Sequence, residues 1–160
     1  MSYLLEGLLR LRRNREDRAQ RELSQARAAL ATAARALEQA RQVLSDYRQW
    51  RPREENRLWQ MVIGHDVRRT DLDDHQRRLQ TVASGEHERE EKCAQGETAL
   101  QAAQKLAEER RQTWVRALRN VQKLEEHKEM ELAREAKEAE NRLESELEDS
   151  RHFVPAEALL

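Results

Sequence analysis

Glycine, proline, cysteine and aromatic residues are all scarce in this chain of 160 residues: four glycines, two prolines, one cysteine and 4% aromatics. Each scarcity removes something. One cysteine, Cys93, cannot close an internal disulfide, so a reducing compartment suits the chain and a small buried hydrophobe is its expected role. So few glycines and prolines favour long uninterrupted helices over frequent turns. So few aromatics leave little bulk for a thick globular core. Long apolar runs are missing too. The start, Met1 to Leu9, is apolar for too short a span before Arg10 and has no small-residue cleavage pattern, so it is not a signal peptide. Nothing later is long enough to cross a bilayer, and no direct membrane insertion is expected. Neither sign of charge dominates, the formal net charge being −1.

What the chain has in quantity is charge and regular spacing. Charged residues make up 38% of it, a composition that on its own is compatible with disorder. The charges, however, alternate with evenly spaced apolar residues and are mostly Glu, Arg and Lys, which are good helix formers. From Ala19, small or apolar residues recur at Leu23, Ala26, Leu30, Ala33, Leu37, Ala40, Leu44 and Tyr47. Downstream, Leu72, Leu79, Glu86, Cys93, Leu100, Ala107, Trp114 and Val121 follow at heptad intervals, with Ala103, Ala117 and Leu124 on companion positions. A narrow stripe of this period buries itself against one partner helix. The reading is all-α: a long two-helix antiparallel coiled-coil hairpin, in one elongated domain over residues 1–160. A compact three- or four-helix bundle, or a helix formed only with a partner, would use the same composition less directly.

The breaks in the pattern set the boundaries. A first helix is expected over about 4–61, with Pro52 marking a kink or restart. The reversal falls at about 62–71, around Gly64, with Thr70 or Asp71 capping the next helix. The second helix spans about 72–149, weakened locally at Gly85 and Gly96, and a frayed tail follows over about 150–160. Antiparallel pairing about that reversal joins residues whose numbers sum to about 133, which sets Trp114 opposite Ala19 and Trp50 opposite Ala83. Residues 1–80 hold 17 basic and 12 acidic groups, and residues 81–160 hold 13 and 19. The hairpin therefore lays a basic N-terminal run beside an acidic C-terminal one.

Signatures of catalysis do not emerge. The sequence contains no Gly-rich phosphate loop, paired-cysteine metal site, zinc-protease helix or nucleophile elbow, so the chain reads as a non-enzyme without cofactor or metal. The tightest polar set, His65, Asp66, Asp71, Asp74 and His75, surrounds the reversal and reads as capping and a solvated tip. The arginine run Arg10, Arg12, Arg13, Arg15, Arg18 and Arg21 invites a nucleic-acid reading. Glu16, Asp17 and Glu22 interrupt it, and an acidic helix faces it, so no nucleic acid is expected. Leu4, Leu5, Leu8, Leu9 and Leu11 form an apolar end suited to docking on protein or to closing the coiled coil.

One stretch concentrates aromatic and arginine side chains, the types enriched at energetically important interfaces: Asp46-Tyr47-Arg48-Gln49-Trp50-Arg51. It serves equally as an interface or as a seam in which Tyr47 is covered by Trp50. Followed by Glu54-Glu55-Asn56-Arg57-Leu58, it resembles the family of YscO-like type III secretion proteins, related to the flagellar export protein FliJ. The basic start, the turn near residue 65, and Leu72 with Gln76-Arg77 and Leu79 fit the same resemblance, which covers nearly the whole length. Pro52 has no counterpart in an uninterrupted helix of that kind.

The resemblance implies a cytosolic stalk of the bacterial injectisome, at the cytoplasmic face of the secretion apparatus. Such a stalk enters the hexameric secretion ATPase ring, meets the cytoplasmic domain of the export gate, and is associated with export chaperones. Carried onto this chain, it implies an ATPase-facing end at Arg10, Arg12, Arg13 and Arg15 with Glu131 and Glu135, and a gate-facing surface at Tyr47, Trp50 and Arg51. The alternative is a coiled-coil scaffold or chaperone escort that binds partners without stimulating ATP turnover.

Overall fold

In the computed structural model, which describes residues 4–152, two helices account for nearly all of the chain: α1, Glu6–Gln60 (55 residues), and α2, Arg69–His152 (84 residues). The fold is an all-α, two-helix antiparallel coiled-coil hairpin. The tail expected over 150–160 is helical as far as His152, and the rest of it lies outside the described residues.

Local chemistry fixes the reversal. Val62 and Ile63 both donate backbone hydrogen bonds to the Trp59 carbonyl, at 3.0 and 2.9 Å, and end α1. Gly64 then takes a φ of 80°, a left-handed conformation that costs a residue without Cβ little. The second helix begins three residues earlier than the sequence suggests. Neither Thr70 nor Asp71 is its cap; both lie inside the first turn. Arg68 occupies the cap position, and the Asp71 carboxylate accepts the Arg68 backbone N–H at 3.0 Å, the acidic half of a capping box. Pro52 does not restart α1, which runs continuously through it. Pro52 is exposed, so the carbonyl that loses its helical partner there faces water.

The chain divides into two compact units. In the first, Arg21–Gln112, side chains of α1 and α2 interlock about the reversal. On α1 the buried or half-buried positions step by four and three from Leu23 through Leu30, Leu37, Leu44 and Arg51 to Leu58. On α2 they step likewise from His75 through Leu79, Val82, Glu86, Cys93 and Leu100 to Ala107. Leu37 and Gly96 face each other: a Cβ on Gly96 would stand 3.2 Å from Leu37 Cδ1 and 3.6 Å from its Cα. Missing bulk at Gly96 lets the backbones approach there, and this pair satisfies the expected register. Arg48 with Glu86 and Glu22 with Arg110 fall within a residue or so of it. Leu72 lies on the frame yet is exposed, because its level on α1 falls beyond Gln60, the last helical residue. Trp50 does not meet Ala83, which is exposed. The four-and-three stepping passes from Tyr47 to Arg51, so Trp50 falls outside the seam and packs on Tyr47 instead.

The second unit joins the described parts of Met1–Gln20 and Thr113–Leu160. Leu9 is fully buried against Val121 and Leu124, with Leu5 alongside. Polar seam positions are satisfied across the pair. The Trp114 indole N–H donates to Glu16 at 2.8 Å, one turn from Ala19, and the Arg12 guanidinium donates to the Asn120 carbonyl at 2.9 Å. Beyond Glu131, α2 continues with every described residue exposed.

Candidate functional site

Unit 1–20/113–160 carries the residues expected at an ATPase-facing end, and its geometry splits them. Arg13 is bound to Glu125, through Nη2 at 2.8 Å and Nε at 3.2 Å. Arg12 is held on Asn120. Both work within the helix pair. Arg10 and Arg15 are exposed, and no hydrogen bond among the described residues holds them. Glu131 is half-buried, with Arg134 of its own helix 3.8 Å away, while Glu135 is exposed. The basic and acidic runs do lie side by side at Arg13 and Glu125, but one pair inverts the expected polarity. Lys128 of α2 binds Glu6 of α1 at 2.7 Å and holds the Glu6 carboxyl below its ordinary value. Leu4 ahead of α1, Leu8 and Leu11 on α1, and Met130, Leu132, Leu143 and Leu147 on α2 are exposed.

Unit 21–112 carries Tyr47, Trp50 and Arg51, which the structure brings together with a set of α2 residues that the sequence motif did not reveal. The Tyr47 hydroxyl donates to the Val82 carbonyl at 2.7 Å. Its ring occupies the room left by Gly85, where a Cβ would collide with the hydroxyl and come within 2.9 Å of Cζ. The Arg89 guanidinium lies 4.0 Å from the ring centroid and donates to the Gly85 carbonyl at 2.7 Å. Trp50 packs against the same ring, tilted, with centroids 5.1 Å apart, and remains 44% exposed. Tyr47 is thus a seam residue and Trp50 a surface one. Gly85 and Glu86 had a visible signal, since the expected register brings both opposite this motif.

Both arginines of the motif pair with carboxylates. Arg51 donates to Glu86 at 2.6 Å and to Glu55 at 2.7 Å. Arg48 donates to Glu86 at 3.0 Å and to Glu90 at 2.7 Å. Hydrogen bonds from Arg51 first and Arg48 second hold the Glu86 carboxyl below its ordinary value, and those from Glu86 and Glu55 raise Arg51. Glu54 is lowered in the same way by Arg57, and Glu108 by Arg111. A depressed carboxylate contributes stability that is complete above its unfolded-state value and is lost as pH falls through the lower folded-state value. The melting temperature should therefore hold down to about pH 5 and fall below the ordinary 4.5. Circular dichroism melts across pH 7 to 2 measure this, and Glu86→Gln should shrink the fall. An identical fall in that variant would remove Glu86 from the acid-sensitive set.

The polar set at the reversal is less solvated than its composition suggests. The Asp71 carboxylate accepts the Arg68 backbone N–H at the start of α2, and His75 is buried, its ring edge-on to Trp59 with centroids 4.7 Å apart. Among the described residues no group of three or more His, Cys, Asp or Glu could hold a metal ion. No helix among them is long and apolar enough to cross a membrane.

No curated protein matches the sequence. The crystal structure of the type III secretion protein YscO from Vibrio parahaemolyticus is similar in fold, with a TM-score of 0.81 and 23% identity over 91% of this chain and 92% of that one. A YscO homologue from Chlamydia trachomatis has a TM-score of 0.70 and 22% identity over 95% of this chain and 93% of that one. At such identities the likeness speaks for fold. Membership rests on the sequence family model for the type III secretion protein YscO, which matches residues 5–152. Since that match takes in both helices and the reversal between them, the chain belongs to the YscO family of type III secretion proteins.

Proposed function

We propose that this chain is the non-enzymatic stalk of a bacterial type III secretion apparatus, working in the cytoplasm at the base of that apparatus. One end binds the hexameric secretion ATPase, and the surface around Tyr47, Trp50 and Arg51 meets the cytoplasmic domain of the export gate. Export chaperones are further partners. The observation that carries the ATPase assignment is the run of α2 beyond Glu131, exposed on every side and bearing Leu132, Leu143 and Leu147. A helix continued past its partner with uncovered leucines has apolar surface to offer another protein. Exposed Arg10 and Arg15 add charge that steers and orients such docking. A single asymmetric shaft meets the equivalent subunits of a ring unequally, and unequal contact biases their nucleotide states without any catalytic group in the shaft.

Titrating the chain into its secretion ATPase, with ATP turnover and binding followed in the same samples, tests this reading. Stimulation should saturate at far fewer than one chain per ATPase subunit. Reversing Arg10 and Arg15 to glutamate should raise the half-saturating concentration by about tenfold at low salt and leave helicity unchanged. Arg12 and Arg13 are poorer probes, since each also holds the helix pair. Binding without stimulation would identify a scaffold or chaperone escort, and absence of binding would overturn the ATPase assignment.

A further inference from the structure

Of Arg48, Arg51 and Arg89, the last alone lacks a carboxylate partner among the described residues. Arg51 is occupied by Glu86 and Glu55, and Arg48 by Glu86 and Glu90. Arg89 is half-buried, and its position is fixed twice. The guanidinium lies over the Tyr47 ring, 4.0 Å from the centroid, and Nη1 donates to the Gly85 carbonyl at 2.7 Å. The ring beneath is itself held, its hydroxyl donating to the Val82 carbonyl. Nε and Nη2, which together form one edge of the guanidinium, make no hydrogen bond among the described residues, and neither is shut away from solvent. That edge has the geometry to give a carboxylate two parallel N–H bonds, and its orientation is already set before a ligand arrives.

Arg89 lines a groove of about 660 Å³ with Tyr47, Arg77, Gln80, Ser84 and Glu88. Charge selects what the groove can take. Two guanidinia stand against the single carboxylate of Glu88, with neutral hydrogen-bonding groups on Gln80 and Ser84. Arg77 makes one long contact, 3.4 Å from Asp74, and its side chain is 77% exposed. A basic segment would meet two like charges, and an apolar one would strip water from the Arg89 edge without replacing it. The two arginines are separated by about 18 Å along α2, a distance that a chain spans and a single small anion does not. We propose, on the reading that the face around Tyr47 meets another protein, that this groove receives an acidic segment of that protein. One carboxylate binds the Nε–Nη2 edge of Arg89 and a second binds Arg77. Arg51 then holds the helix pair together, and Arg89 is the arginine offered to the partner.

Selection of displayed random dodecapeptides on the full chain tests this, since twelve residues reach both arginines as a helix or as an extended strand. Peptides whose binding depends on Arg89 should be enriched in Asp and Glu. Arg89→Gln should raise their Kd by about tenfold or more. Arg89→Lys keeps the charge but not the planar fork, and should raise it by about threefold. Arg77→Gln, at an exposed position, should leave the melting temperature unchanged and raise the Kd by about twofold. The Lys and Arg77 variants carry the test should Arg89→Gln disturb the helix pair. An empty selection, peptides without acidic enrichment, or affinities equal in all three variants overturn the proposal. Displacement of the peptides by millimolar inorganic phosphate at constant ionic strength overturns the protein partner and leaves a small-oxyanion site. No export gate enters this selection. Acidic peptides that depend on Arg89 yet fail to compete with the gate's cytoplasmic domain uphold the groove and count against the gate assignment alone.

Discussion

A chain ending at Glu131 is expected to keep its paired helices and lose its effect on ATP turnover. Every described residue beyond Glu131 is exposed, Leu132 at 46%, Leu143 at 61% and Leu147 at 62%. Truncation there removes none of the buried cluster of Leu9, Val121 and Leu124, and spares the pairs of Lys128 with Glu6 and Arg13 with Glu125. The melting temperature should therefore stay within a few degrees of that of the full chain. Docking is another matter. Full burial of one leucine is worth about 1.5–3 kcal/mol, so losing three leucines from an interface should weaken binding by more than about a hundredfold. Stimulation of the ATPase should drop to the basal rate at concentrations that saturate it with the full chain. Retained stimulation would transfer the docking role to the arginines of α1. A large fall in melting temperature would show instead that the extension covers something within this chain.

The hairpin was legible because its signal is repeated. From Leu23 to Leu58 and from Leu79 to Leu124 the same four-and-three stepping recurs, and each repeat is independent support for one burial stripe. Pairing about a single reversal then follows, and contacts such as Leu37 with Gly96 obey the register it implies. Single events were read less well. Pro52 suggested a break, but a proline on the exposed face of a long helix gives up one hydrogen bond to water while the packing on either side continues. Thr70 and Asp71 looked like caps by residue type. The choice between an acid at the cap and an acid three residues inside it depends on backbone geometry that residue type does not encode.

The candidate surfaces were legible only in part, and for a related reason. Tyr47, Trp50 and Arg51 stand out as a dense aromatic and arginine motif within one helix. Their α2 partners Val82, Gly85, Glu86 and Arg89 are ordinary residues of a charged helix, and become a set only when register brings them together. The exposure of Arg10 and Arg15 beside the engagement of Arg12 and Arg13 follows from helical phase. The arginine run alone gave all four equal standing.

Leu9→Ala is expected to have the second large effect, of a different kind. Leu9 is fully buried and forms a cluster of mutually packed buried residues in its unit, with Val121 and Leu124. Truncating such a leucine costs about 2–5 kcal/mol, the spread reflecting how far the site can collapse. Amide hydrogen exchange should report it as local opening. Protection over residues 6–20 and 113–131 should fall by a factor of about thirty to several thousand, while residues 37–58 and 79–100 keep most of theirs. Uniform loss across both units would mean that they unfold as one, and no loss would mean that the unit does not depend on this cluster. Leu8→Ala supplies the contrast, because Leu8 is 38% exposed and contributes less to packing. If the terminal leucines serve a partner, Leu8→Ala should weaken ATPase binding with little change in exchange. Leu9→Ala should weaken it only in proportion to the opening of the helix pair. Comparing binding loss with exchange loss in the two variants separates a leucine that holds the helix pair together from one that the pair presents to a partner.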